Sequence, residues 1–139
     1  MTTKAKHYEV LLRRLSEARA AGCNLEAAWL GYTVVEDRVN SALTQAGLAP
    51  RQKLGTKLSK LENLLKSERA YREAYFEPGL FELTRSWIKR RNKLMHELAS
   101  MLRPEPDLDA EFAAVAQQGE ALARTFATAG RRLKKRRRK

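Results

Sequence analysis

The segment NLEAAWLGYTVVEDRVNSALTQAG (residues 24–47) decides how this chain folds. Leu25, Trp29, Tyr32, Val39, Leu43 and Ala46 recur at spacings that build from threes and fours, the signature of a helix with one apolar face. Asn24 is placed to cap its start, and Gly47 and Pro50 stop it. Working outward, the same period reappears on both sides. Tyr8, Leu11, Leu12, Leu15 and Ala18 line an earlier helix over roughly 3–21, closed by Gly22. Leu54, Leu58, Leu61 and Leu65 make a third helix that fades into the polar stretch SERAYREAYFE. After Pro78-Gly79, Leu80, Leu83, Trp87, Leu94, Leu98 and Met101 run through a fourth helix ending near Arg103-Pro104. Following a linker at PEPD, Phe112, Val115, Leu122, Phe126 and Leu133 mark a fifth. The expected fold is all-α: a single-domain bundle of about five helices over 1–130, with a basic tail at 131–139 expected to be disordered.

Composition agrees. A chain of 139 residues holds one packed core, and 7 glycines with 4 prolines favour helices. Cys23 is the only cysteine, so no intrachain disulfide can form and a reducing, cytoplasmic setting is expected. No charged-then-apolar leader is visible, and the apolar run AAWLGYTVV (27–35) is far shorter than the roughly 20 residues of a membrane span, so no membrane partner is expected. The formal charge is +12, but RRLKKRRRK (131–139) carries eight of the basic residues and leaves +4 for the rest. Such a block attracts any polyanion regardless of sequence, and carries no specificity.

Two residues interrupt the apolar seams. Along 25, 29, 32, 36, 39, 43 and 46 the exception is Glu36. Along 80, 84, 87, 91, 94, 98 and 101, with Thr84 tolerated, it is Arg91. Charges on core-facing stripes are costly unless paired, so a Glu36–Arg91 contact is expected. His96 lies about 140° around the helix from Arg91, on a face shared with Lys89, Asn92 and Lys93. Histidine exchanges protons near neutral pH, and Lys89, Arg90 and Lys93 surround it with phosphate-attracting charge. A surface histidine without a role is the bland reading of the same residues.

Arg91, Asn92 and His96, in RNKLMH (91–96), match the R-N-x-x-x-H form of the Rx4–6H motif, and the chain resembles HEPN domains over most of 24–103. These are compact helical proteins, often ribonucleases of toxin–antitoxin, abortive-infection and RNA-processing systems. The segment WLGYTVVEDRVNSAL (29–43), with Glu36, is similar to the acidic earlier helix often found there. The resemblance implies RNA as substrate, cleavage without metal in a cleft between two protomers, and Arg91, Asn92 and His96 as catalytic residues. Glu36 would support them and Lys89, Arg90 and Lys93 would bind RNA. No His/Cys cluster or paired-carboxylate pattern suggests a metal or other cofactor. His7, near the terminus, is assigned to the surface. That leaves His96 as one proton-transfer group per chain, whereas the reaction needs an acid and a base, so a homodimer would supply both. An antitoxin protein is a further partner that the resemblance suggests. The alternatives are a non-catalytic helical module binding nucleic acid or protein, and a small subunit docked on a larger nucleoprotein.

Overall fold

In the computed structural model, the described residues are 3–49, 53–75, 77–100 and 105–137, with side chains at 9–49, 53–75, 77–100 and 108–136. Among them are six helices and no strand: α1 Thr3–Ala20, α2 Asn24–Gln45, α3 Leu54–Ser67, α4 Arg69–Ala74, α5 Leu80–Ser100 and α6 Glu105–Arg137. None is long and apolar enough to cross a membrane.

Glycine ends the first two helices. Gly22 and Gly47 hold φ of 77° and 78°, where a side chain would be strained. Beyond each, the chain turns back: Cys23 N–H donates to the Ala18 carbonyl and Gly22 N–H to Arg19, and Leu48 and Gly47 repeat the pattern on Leu43 and Thr44. Both are Schellman closures. Asn24 is not the cap that the sequence suggested. It is the first helical residue, behind Cys23, which makes no side-chain capping bond.

The longest helix, α6, is the axis of the bundle. Its most extensive contact is with α2, and α1, α4 and α5 also pack on it, while α3 joins α2 to α4 and α5. Phe112, Val115, Leu122, Phe126 and Leu133 of α6 are buried as expected, and so are Leu54, Leu58 and Leu61 of α3. Tyr8 and Met101 lie outside the described side chains.

The buried face of α2 departs from the expected seam. It consists of Ala27, Ala28, Gly31, Val34, Val35, Arg38, Val39, Ala42 and Leu43, whereas Leu25 is 43% and Trp29 64% exposed. Small residues win because α2 and α6 cross closely: a Cβ on Gly31 would lie 3.2 Å from the Gly119 carbonyl carbon. The charged residue inside this stripe is Arg38, which Asp37 reaches at 3.6 Å and for which Gly130 leaves room. Burial pushes the Arg38 pKa down against the opposing pull of Asp37.

Two boundaries also change. The polar stretch after α3 contains α4, anchored by buried Tyr71, whose hydroxyl donates to the Ala42 carbonyl at 3.0 Å. That raises the count from about five to six. The linker expected at PEPD falls largely inside α6, with Pro106 in the first turn, where its missing N–H costs nothing. At its other end α6 continues to Arg137 with no break at 131. Leu133 is fully buried there, and Arg136 pairs with Glu73 of α4. Arg138 and Lys139 lie outside the described residues.

Candidate functional site

Trp87 sets the geometry from below. It is fully buried in α5, and its indole N–H donates to the Val115 carbonyl of α6 at 2.9 Å. Tyr32 of α2 tilts against it with ring centroids 6.2 Å apart. One turn along α5, the guanidinium carbon of Arg91 lies over the Tyr32 ring, 4.1 Å from its centroid. That is cation–π range. Arg91 Nη1 donates to Asn92 Oδ1 at 3.0 Å, and Arg91 Nε is enclosed without a hydrogen-bond partner among the described residues. Burial lowers the Arg91 pKa, while Tyr32 and then Glu36 act to raise it. The Tyr32 hydroxyl is raised, by burial first and Glu36 second, with Arg91 opposing.

The expected Glu36–Arg91 contact does not form. Among the described residues Glu36 pairs with Lys57 of α3, Oε2 to Nζ 3.4 Å, and Lys57 also donates to Asn40 Oδ1 at 2.7 Å. Lys57 is 3% exposed. The seams therefore place Glu36 and Arg91 near enough to feel each other's field, but Lys57 and Tyr32 intervene as nearer partners. Sequence reasoning missed both. Lys57 could have been found, because it sits on the apolar side of α3 between Leu54 and Leu61, a third foreign charge on a core face. Tyr32 gave no such signal, since an aromatic on a seam reads as core.

Arg91 and Asn92 are thus brought together, and His96 is not joined to them. On an unbroken α5, His96 is exposed and about 140° from Arg91, with exposed Lys89 and Lys93 on its own side. Arg90 is exposed as well, and Lys93 Nζ reaches Glu97 Oε1 at 4.0 Å. Asn92 lies between the two directions: it accepts from Arg91 and is only about 40° from His96. The His7 side chain lies outside those described.

Beside Asn92 opens a groove of about 570 Å3, bounded by Tyr32 and Glu36 of α2, residues 53–56 at the start of α3, and Ile88 with Asn92 of α5. A second, of about 400 Å3, shares Gly55 and Ile88 and continues to Arg85 and Lys89. Arg85 is held there by Glu62 at 2.7 Å and Glu82 at 2.9 Å. No family model, characterised protein or solved structure matches this chain.

Proposed function

We propose that this protein is a metal-independent RNA endonuclease of HEPN type, acting as a cytoplasmic homodimer in a toxin or phage-defence setting. The observation that carries the reading is Arg91. Its guanidinium is half-buried, preset by Tyr32 and Asn92, with no carboxylate within ion-pair distance among the described residues. A cation so enclosed and so little neutralised suits a phosphate.

In this reading two copies of His96 meet across a two-fold axis. One imidazole takes the proton of an RNA 2′-hydroxyl as that oxygen attacks the adjacent phosphorus. The P–O5′ bond breaks, and the second imidazole, protonated, gives its proton to the departing 5′-oxygen. Arg91 neutralises the phosphoryl oxygens, with Asn92 holding its fork. Lys89, Arg90 and Lys93 draw in the strand. The divergence of Arg91 and His96 within one chain leaves the imidazole on an exposed face of α5 that a second chain can cover.

The products would be a 2′,3′-cyclic phosphate, or its hydrolysed phosphate, and a 5′-hydroxyl. End-group analysis of cut RNA checks this, and 2′-O-methyl substitution at the cut site should block the reaction. Continued cleavage of the methylated bond would contradict the mechanism.

A second reading, a non-catalytic module binding protein or nucleic acid, is favoured by one observation. Exposed Trp29 and Leu25 line an apolar depression with Leu30, suited to a partner surface.

A further inference from the structure

The groove beside Asn92 differs in character from the basic surface next to it. Lys89, Arg90 and Lys93 project from α5 as exposed cations. The groove itself balances one carboxylate, Glu36, against one ammonium, Lys53, over apolar Ile88 and Leu54. Phosphates would collect on the first surface. A carboxylate repels them from the second, where a flat, uncharged, hydrogen-bonding group fits better.

The polar atoms on offer are specific. Glu36 Oε2 faces Lys57 Nζ, while Oε1 has no hydrogen-bond partner among the described residues, and the side chain is 39% exposed. A carboxylate can only accept. Lys57, itself fixed by Asn40, holds it in place. Asn92 uses its Oδ1 to accept from Arg91, which leaves its amide N–H groups to donate. The groove thus presents an acceptor from α2 and a donor from α5.

Among the nucleobases, guanine carries two adjacent donors, N1–H and the N2 amino group, beside an acceptor, O6, on its pairing edge. Adenine and cytosine place a ring-nitrogen acceptor next to their amino group, and uracil flanks its one N–H with two carbonyls. A carboxylate that reads the base with both oxygens, Oε2 still accepting from Lys57, meets a lone pair or carbonyl on each of these and two donors only on guanine. The pairing edge is free only in single-stranded or loop RNA.

We propose that this groove holds one unpaired guanine of the RNA strand, read on its pairing edge by Glu36 and Asn92. The inference rests on RNA being the substrate, as proposed above. It gives Glu36 a role in base selection and makes the substrate class guanine-containing single-stranded RNA.

The test uses the unaltered full-length chain and short fluorescent 2′-O-methyl oligonucleotides, which a 2′-hydroxyl mechanism cannot cut. The oligonucleotides are otherwise all uridine and carry one central guanosine, inosine or adenosine, or the same guanosine paired in a hairpin. Fluorescence anisotropy should show the unpaired guanosine binding about tenfold tighter than inosine, which lacks only the N2 amino group. The adenosine and hairpin forms should be weaker as well. In Glu36→Gln, checked for an unchanged melting temperature, the guanosine-to-inosine ratio should fall close to one. Equal affinity of the unaltered protein for guanosine and inosine would overturn the proposal, as would a full preference surviving in Glu36→Gln. Binding without base preference removes the pocket alone. Absence of binding to every oligonucleotide removes RNA as the ligand, and the pocket with it. A clear guanine preference beside uncut unmodified RNA would keep the pocket and remove the nuclease.

Discussion

Glu120 shows how a single carboxyl can govern the molecule's response to acid. Burial alone would raise its pKa, but hydrogen bonds from Ser16, Arg19 and Arg124 outweigh that and bring it to about 2, from an ordinary 4.5. Ser16 Oγ donates to Oε2 at 2.6 Å, Arg124 reaches the same oxygen at 3.1 Å, and Arg19 takes Oε1. Because the folded-state pKa is depressed, the stabilisation is present above about pH 4.5 and is lost as pH falls toward about 2. It amounts to roughly 2–3 kcal/mol. Acid titration of thermal stability should show this loss in the native chain, and Glu120→Gln should be less stable at neutral pH and flatter over that window. An identical acid profile in the variant would contradict the assignment. None of this network was legible in the sequence, because Ser16 and Glu120 are 104 residues apart and lie on helices whose pairing no local pattern states. The pair of foreign charges was legible in part: Glu36 and Arg91 do carry unusual surroundings, but their nearest partners are Lys57 and Tyr32.

At the scale of elements, periodicity found the long helices and, for α2, only part of the buried face: Val39 and Leu43 lie in the core as expected, Leu25 and Trp29 do not. Large side chains marked the α2 seam, yet the close crossing with α6 selects alanine, glycine and valine and leaves Trp29 outside. Gly119, which faces Gly31 in that crossing, is tighter still on its α5 side, where a Cβ would sit 2.7 Å from Trp87 Cζ2. Trp87 is locked by its bond to Val115 and cannot retreat freely. Gly119→Ala should therefore destabilise by about 1–3 kcal/mol by chemical denaturation, despite the better helix propensity of alanine. Gly55→Ala, with nothing within 4 Å, should instead be neutral or stabilising by about 0.5 kcal/mol. Equal effects at the two positions would refute the steric account. Charge composition suggested release of the chain at 131, but buried Leu133 and the Arg136–Glu73 pair hold that turn of α6 against the bundle. Truncation after Gly130 should cost about 2–4 kcal/mol, most of it from Leu133, whereas a mere solvated tail would cost almost nothing.

For the whole molecule, an all-helical bundle around α6 carries Arg91, Asn92 and His96 on a single helix, with Asn92 at the edge of an open groove. The class of fold was readable because helical periodicity and sparse glycine agree. The arrangement around Arg91 was not, since it depends on Tyr32 and Lys57 arriving from two other helices. The divergence of Arg91 from His96 on α5 gives the central claim its shape: two chains would complete one site, and RNA would supply its own nucleophile. The most direct measurement incubates purified protein with single-stranded RNA in EDTA, beside His96→Ala and Arg91→Lys prepared identically. Expected are cutting by the unaltered chain, its loss in His96→Ala, and a fall of about a hundredfold in Arg91→Lys, with all three melting alike. Undiminished cleavage by His96→Ala, or no cleavage by the unaltered protein, would contradict the central claim.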